Sequence, residues 1–269
     1  MDNTGPAPTM KVFLVRLGVH RRVLNALILR ELMTRFGRHS LGFFWVVGEP
    51  LILSLCVMVA WTAAKHKLDG DVGIIPFVLS GYVMLTMWRH TIGRSQHCFR
   101  QYYGLMFHRN ISYVDAVIAK SLLEIGGTGI AFWVAYIPFY LIGVIDPIYD
   151  TGLVIGGWLL LGWLSFSIGL VIAALTELTD VAEKFVQPFM YVTLPLTGMF
   201  SMISWLPDRM GRVLVYSPVA NCFEMMRGGL LGHKVDPYYD AVYTAKCCLV
   251  LMAFGLLLVQ KARYYVNSE

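Results

Sequence analysis

Long apolar segments separated by short polar stretches constrain the fold of this chain more than any other feature of its sequence. We place six of them at about residues 41–64, 73–93, 113–145, 151–175, 185–203 and 241–260. A bilayer core is about 30 Å thick, is crossed by ~20 apolar residues as a helix, and offers no water to an unpaired backbone group. The segments therefore predict an all-α integral membrane protein with six transmembrane helices.

The amino-acid composition agrees with this prediction. Hydrophobic residues make up 57% of the 269-residue chain and charged residues 14%, against about 45–50% and 25% in a typical soluble domain. Six spans of ~20 residues with short connections use most of the length, so little chain is left for a separate catalytic domain. Residues 1–20 lack the pattern of a cleaved signal peptide, and we expect the first span to act as the insertion signal.

The basic residues predict the orientation of the spans. Of the 22 lysines and arginines, 14 fall on the side of the chain termini and 6 on the other side. Because cytoplasmic loops carry an excess of Lys and Arg, both termini are predicted to be cytoplasmic. We therefore divide the chain into a cytoplasmic N-terminal part (1–40), a transmembrane domain (41–260) and a cytoplasmic tail (261–269).

A basic amphipathic helix is predicted immediately before the first span. Its apolar arc consists of Leu29, Leu32, Met33 and Phe36, and its polar arc of Arg30, Glu31, Thr34, Arg35 and Arg38. A helix of this kind lies in the headgroup plane of an anionic leaflet. We therefore predict an interfacial helix that leads the chain into the membrane from its basic side.

The connection between the second and third spans, residues 94–110, is basic and aromatic. It includes Gln96, Arg100, Tyr102 and Tyr103. These side chains suit a contact with a protein partner on the cytoplasmic face. Anchoring by positive charge at the inner membrane surface is the competing interpretation.

The segment at about 203–240 is too often broken by proline and glycine for a simple span, and too apolar for a free loop. We predict two short amphipathic helices at the outer membrane face. Non-helical backbone at that depth must be buried in protein or line a wet cavity. A partly buried lid is one interpretation of this hairpin, and a passive surface hairpin is the other.

Charged residues inside the spans are costly and are therefore candidates for function. Glu49 has no basic neighbour on its own span, so we expect it to meet the basic helix at 30–38, another subunit or water. Lys120 and Glu124 are spaced i, i+4, which predicts a mutually satisfied pair near the cytoplasmic interface. A role of this pair in transport is the alternative.

Aromatic residues make up 13% of the chain, and most of them are expected in belts at the two membrane surfaces. A smaller group is predicted to line a conduit, since the C–H faces of sugar rings pack on aromatic rings as apolar ligands do. This group consists of Trp45, Phe185, Phe189 and Tyr191.

Motifs for catalysis are missing from the sequence. It has no G-x-x-x-x-G-K-[ST] phosphate-binding loop, and its seven histidines show no H-E-x-x-H or other paired spacing. The chain is therefore predicted to bind no metal, not to hydrolyse ATP itself and not to be an enzyme. A membrane-embedded glycosyl or acyl transferase is the alternative class, but we find neither an H-x-x-x-x-D pattern nor clustered carboxylates.

Four stretches carry a family resemblance: RELMTRFGRHSLGFFWVVGEP at 30–50, FVLSGYVMLTMW at 77–88, LMFHRNISYVDAVIAKSLLE at 105–124 and SPVANCFEMMRGGL at 217–230. In this order they resemble the permease subunits of bacterial ABC transporters that export capsular polysaccharide, the KpsM family. The resemblance covers almost the whole chain except residues 1–10. Exporters of O-antigen, teichoic acid and other lipid-linked substrates share much of the pattern and are the nearer alternative.

The resemblance implies a homodimer that forms a conduit in the bacterial inner membrane. Two ATP-binding subunits below it would hold ATP and Mg²⁺, while this chain would bind no cofactor. Residues 95–106 would be a cytoplasmic coupling helix that docks into the ATPase subunit. Pro218, Glu224 and Arg227 would belong to short periplasmic helices before the last span and to a periplasmic gate.

The resemblance also implies a substrate, a polysaccharide that carries a lipid at its reducing end. Arg35, Arg38, Arg89 and Arg94 are then candidates for steering its acidic linker or phosphate, with Glu49 beside the entrance. Further implied partners are membrane lipids, a periplasmic co-polymerase and outer-membrane export proteins. Nucleic acid is not among them.

Overall fold

The computed structural model of the chain describes residues 10–36, 41–64, 68, 72–109 and 111–266, and α-helix dominates these residues. They form ten α-helices in chain order: α1 (Met10–Phe36), α2 (Leu41–Ala63), α3 (Ile74–Ser95), α4 (Cys98–Arg109), α5 (Tyr113–Leu141), α6 (Thr151–Leu178), α7 (Asp180–Val192), α8 (Asp208–Leu214), α9 (Pro218–Leu231) and α10 (Ala241–Val266). Three short 3₁₀ segments follow α7, precede α8 and follow α9.

Three of the described helices are long and apolar enough to cross a bilayer, namely Tyr113–Leu141, Thr151–Leu178 and Ala241–Tyr264. A shorter apolar helix, Val47–Ala63, lies within α2. The chain is therefore an all-α, multi-pass membrane protein. We call the end of the bundle that holds α1 and the last turns of α10 the terminal side, and the end that holds α8 and α9 the far side.

The helix α6 is the centre of the bundle, because it packs against α10, α9 and α3. Its contact with α9 depends on Gly157, where an added Cβ would lie 2.8 Å from the Met226 nitrogen and 2.9 Å from the Cys222 carbonyl oxygen. On α10, a Cβ added to Gly255 would lie 2.9 Å from the Leu170 side chain. Small residues let membrane helices approach backbone to backbone, so these glycines set the spacing of the bundle.

Two apolar cores hold the helices together. The larger core includes Trp88, Leu161 and Phe223, each at most 1% exposed. The second core lies at the terminal side and joins α1, α4, α5, α6 and α10, with Leu27 and Val259 among its members. The first residues of α4, including Cys98 and Tyr102, are thus packed into the bundle. We call them the base of α4.

The fifth predicted span, 185–203, is not one continuous helix. The helix α7 has 13 residues and ends at Val192, so its length is about 20 Å, short of the ~30 Å hydrocarbon core. A 3₁₀ segment, Leu194–Thr197, follows, and Gly198 then turns the chain with a φ of +71°. Pro195 cannot donate the next backbone hydrogen bond, which explains why the helix stops here.

The third predicted span, 113–145, differs from the structure in how it ends. The helix α5 continues through Pro138 to Leu141, and the backbone N–H of Ile142 still donates to the Pro138 carbonyl. The chain turns at Gly143, whose φ is +78°. Pro138 therefore lies in the last turn of α5 without ending it, and the chain bends at Gly143.

The segment 203–240 contains two helices, α8 and α9, as predicted, but α9 is not a surface amphipathic helix. Most of its residues, including Cys222, Phe223 and Met226, are buried. Its last turn joins the start of α6, because the Asp150 N–H donates to the Gly229 carbonyl at 2.9 Å. The second helix of the predicted hairpin is therefore part of the protein core at the far side.

Candidate functional site

Two carboxylates from different helices meet a histidine and an arginine on the terminal half of α3. His90 lies between them, with Nε2 3.3 Å from Glu49 Oε1 and Nδ1 3.3 Å from Glu124 Oε2. Arg94 Nε is 2.9 Å from Glu124 Oε1, and Arg94 Nη2 is 4.0 Å from Glu49 Oε2. The Glu124 side chain is 2% exposed, whereas that of Glu49 is 44% exposed. This cluster joins α2, α3 and α5 through charge.

The described partners of Glu49 are His90 and Arg94 on α3. Arg35 and Arg38 fall outside the residues whose side chains the structure describes. Arg94, a candidate for steering an acidic substrate, lies against two carboxylates of its own chain, so much of its charge is already compensated.

Lys120 and Glu124 take different partners. Lys120 is 3% exposed, and its Nζ donates to Gln101 Oε1 at 2.5 Å and to the Arg94 carbonyl at 3.1 Å. Glu31 Oε1 lies 4.0 Å from the same nitrogen. A buried ammonium group needs such neighbours because burial alone disfavours its charge. The i, i+4 spacing thus placed both residues correctly on one helix but misassigned their partners.

The first turn of α4 is attached to α1. The Tyr102 hydroxyl donates to Glu31 Oε2 at 2.7 Å, and the Arg30 guanidinium lies 4.7 Å from the centre of the Tyr102 ring. Burial, helped by this hydrogen bond, raises the pKa of Tyr102. Arg30 and Glu31 of the polar arc therefore face the protein, while Leu29 and Met33 are more than half exposed on the opposite arc.

The corner between α3 and α4 is attached to the corner between α6 and α7. His97 Nε2 lies 3.0 Å from Glu183 Oε1, and the His97 N–H donates to Thr176 Oγ1 at 3.4 Å. Arg100 Nη2 donates to Asp180 Oδ1 at 2.8 Å. His97 has a φ of +51°, the one positive φ at a non-glycine position in the described chain. Polar contacts thus attach the beginning of α4 and the residues just before it to α1, α6 and α7.

The predicted contact residues on α4 are not equivalent. Tyr102 is 2% exposed and faces α1, whereas Tyr103 is 52% exposed. Arg100 has an exposed side chain that is paired with Asp180, and Gln96 is half-buried at the corner. Of the four, Tyr103 is therefore the residue most open to a partner protein.

The predicted conduit residues lie on open surface. Trp45, Phe185 and Tyr191 are each more than half exposed, and Phe189 is 47% exposed. Only Val186 and Met190 of α7 are buried. Arg89 of α3 lies with its guanidinium 5.1 Å from the centre of the Tyr191 ring. The described α7 therefore presents a broad aromatic face that this chain does not cover.

Arg227 at the far side is fully buried and holds the backbone that follows α7. Its Nη1 donates to the Gly198 carbonyl at 2.7 Å and reaches the Ser201 carbonyl at 3.4 Å, and its Nη2 donates to the Met199 carbonyl. The guanidinium also lies 3.8 Å from the centre of the Phe77 ring. Non-helical backbone deep in a membrane protein must be satisfied internally, and Arg227 does this here.

Glu224 completes this arrangement, which we call the backbone cradle and define by Glu224 and Arg227. Its Oε1 accepts from the Ile203 N–H at 2.9 Å and its Oε2 from the Tyr238 N–H at 3.0 Å. Burial raises the pKa of Glu224 and lowers the pKa of Arg227, so each charge carries a desolvation cost. Pro218 is simply the first residue of α9. Neither cradle residue lines an open passage in this structure.

Several residues of these clusters were missed by reasoning from the sequence. His90, His97, Gln101 and Glu183 have no local motif, and their partners are distant in the chain. One signal was present: His90 and Arg94 are spaced i, i+4 on an apolar helix, which places both on one face beside any acidic neighbour.

A helical bundle with apolar crossing helices and charged connections at one end is that of a multi-pass membrane protein. Residues 22–231 match the family described as ABC-2 type transporter, and the chain belongs to this family. The family resemblance drawn from the four sequence stretches is confirmed.

Relatives of the chain are aligned over nearly their full lengths. "Capsule polysaccharide export inner-membrane protein CtrC" of Neisseria meningitidis serogroup B is 32% identical over 245 residues, 91% of this chain and 92% of the relative. "Capsule polysaccharide export inner-membrane protein BexB" of Haemophilus influenzae is 31% identical, with 91% and 92% covered. "Polysialic acid transport protein KpsM" of Escherichia coli is 25% identical, with 89% and 93% covered.

Proposed function

We propose that this chain is the permease subunit of an ABC transporter that exports lipid-linked capsular polysaccharide across the bacterial inner membrane. The observation that carries the proposal is the full-length similarity to relatives named for capsule polysaccharide export, at 31–32% identity. Transport is driven by two separate ATP-binding subunits that hold ATP and Mg²⁺, and this chain binds no cofactor. The functional unit contains two copies of the chain.

The helices receive roles within this proposal. Six spans run between cytoplasmic termini, with the broken α7 segment as the fifth span and α8 and α9 on the periplasmic side. The helix α4 is the coupling helix, and Tyr103 is its exposed contact with the ATPase. Support comes from the packing of α4 among α1, α5 and α6, because a helix fixed at its base transmits force to the spans. ATP-driven closure of the ATPase pair would displace α4 and reset the bundle.

The conduit is formed between two copies of the chain. Its walls are the aromatic face of α7 and Trp45 of α2, which one copy leaves exposed. Arg35, Arg38 and Arg89 steer the acidic part of the substrate at the cytoplasmic entrance, and Arg94 with Glu49 forms a compensated part of the same wall. A periplasmic co-polymerase, outer-membrane export proteins and membrane lipids complete the list of partners.

Deletion of the gene, followed by complementation, tests this proposal. We expect loss of surface polysaccharide together with accumulation of finished polymer inside the cell, because synthesis continues without export. A strain that lacks polymer altogether would indicate a transferase, and one that still displays its capsule would exclude the export function. Chemical analysis of the missing glycan separates capsule from O-antigen or teichoic acid.

The assignment of α4 has its own test. A photo-reactive phenylalanine analogue at position 103 should cross-link the chain to a co-expressed ATP-binding subunit. The same analogue at Tyr239, exposed at the far side, is the matched control and should not. Equal cross-linking at both positions would contradict the role of α4.

A further inference from the structure

The helix α7 buries few side chains along its length and meets the corner between α3 and α4 through charged side chains of its first turn. Val186 and Met190 are its only buried side chains in the described structure. Its first residues, in contrast, meet the corner between α3 and α4 through two polar contacts described above, His97 with Glu183 and Arg100 with Asp180. A helix with little buried apolar area is displaced at small cost, so its position follows whatever holds its end.

The contacts at this end contribute little to stability. The Arg100–Asp180 pair is exposed, with side chains 50% and 80% accessible, and water screens exposed ion pairs so that they add little stability. His97 is held in a left-handed conformation, which is unfavourable for a residue with a Cβ. The strained residue His97 lies against Glu183. We interpret this contact as one that sets the position of α7 and not as one that stabilises the fold.

We propose that the corner between α6 and α7 is a second attachment of the coupling helix, through which displacement of α4 is passed to α7. His97 and Arg100 are positioning residues in this joint, and Glu183 and Asp180 are their partners. Arg100 therefore acts within this chain and not mainly on the ATPase subunit. The inference rests on the proposed export function, because it identifies how the ATP-driven step reaches the aromatic wall of the conduit.

A charge exchange tests the joint in the complete complex with its ATPase subunit. The variants are Arg100→Asp, Asp180→Arg and the double exchange, and the readouts are surface polysaccharide, co-purification with the ATPase subunit and the thermal unfolding midpoint. We expect each single change to lower export about fivefold or more, since coupling energies of 1–3 kcal/mol correspond to such factors. The double exchange should restore most of the export.

A second ion pair of similar geometry provides the matched control. Lys234 Nζ lies 2.7 Å from Asp146 Oδ2 at the far side, with side chains 39% and 72% exposed. The same single and double exchanges there should leave export within twofold of the unchanged chain. If both pairs respond alike, or if the Arg100 and Asp180 single variants export normally, the proposed joint is wrong.

Removal of the other contact separates position from folding. Glu183→Gln keeps the size of a half-exposed side chain and should reduce export less than the charge exchanges, with an unchanged unfolding midpoint. For Asp180→Arg, ATP hydrolysis without substrate should persist while export falls. Loss of co-purification in Asp180→Arg would contradict the inference. The deletion strain distinguishes the two levels: a capsule that persists there refutes the export function, whereas normal export in the variants refutes the joint alone.

Discussion

The terminal side and the far side of this protein both bury charged groups, but they use them in opposite ways. At the terminal side charged side chains meet one another, as Arg94 meets Glu49 and Glu124. At the far side Arg227 and Glu224 meet backbone carbonyls and N–H groups. When helices shift, charged side chains can exchange partners with one another. Backbone groups that are bound by a single buried charge have no other partner to take its place. The comparison predicts a movable end and a fixed end.

The largest effect is expected from Arg227→Met. This change leaves the carbonyls of Gly198 and Met199 unsatisfied and Glu224 without its compensating charge. Loss of one partner of a buried charge costs about 3–5 kcal/mol, so the yield of folded protein and the thermal unfolding midpoint should fall sharply. Arg212→Met on the exposed face of α8 is the control. A variant at Arg227 that folds normally would remove the basis of the comparison.

A smaller loss is expected from Glu124→Gln at the terminal side. Arg94 and His90 keep Glu49 as a partner, so the charge of Arg94 remains partly compensated. We expect a decrease of about 1–3 kcal/mol in unfolding free energy, the usual cost of a buried hydrogen-bonding group that loses its partner. A loss as large as that of Arg227→Met would show that the terminal cluster is no easier to rearrange than the far side.

Tyr102→Phe should have a still smaller effect. It removes the hydrogen bond to Glu31 but retains the ring beneath Arg30. One side-chain hydrogen bond contributes about 0.5–1.5 kcal/mol net, so the unfolding midpoint should decrease slightly. Tyr103→Phe, on an exposed neighbour, provides the reference. Identical midpoints for both variants would argue that α1 is not attached through Tyr102.

The smallest effect is expected from Glu49→Gln. The Glu49 side chain is 44% exposed, and pairs at such positions contribute below about 1 kcal/mol. Stability should therefore change little, while export is measured separately in the same strain. A stability loss comparable to Glu124→Gln would mean that Glu49 is more deeply shielded in the working assembly than in one chain.

Features encoded by local pattern were predictable from the sequence. The helices at 41–63, 74–95, 151–178 and 241–266 lie close to the predicted spans. An apolar run of about 20 residues forms a helix long enough to cross the membrane. Pro195 is a local signal for the break after α7. The partner of the carbonyls freed there was not predictable, since they are bound by Arg227, 29 residues along the chain from Gly198.

In the candidate site, too, some individual residues could be predicted from the sequence and their partners could not. Residue type and depth marked Glu49, Lys120 and Glu124 as unusual, because charge inside a span requires compensation. Their partners depend on which helices touch, and sequence spacing within one helix cannot reveal this. His97 was overlooked for the same reason: its left-handed backbone follows from the corner between two helices and not from its neighbours in the sequence.

The backbone contacts of α9 have a consequence for how α7 can move. The Gly157 approach joins α9 to α6, the Gly229 carbonyl is bound by Asp150, and Arg227 fastens the chain just beyond α7 to the same body. The end of α7 at the far side is therefore anchored, and in the proposed joint its other end follows the corner between α3 and α4. A helix fixed at one end tilts when the other end is pushed. The width of the proposed conduit would then vary most at the terminal side and least at the far side.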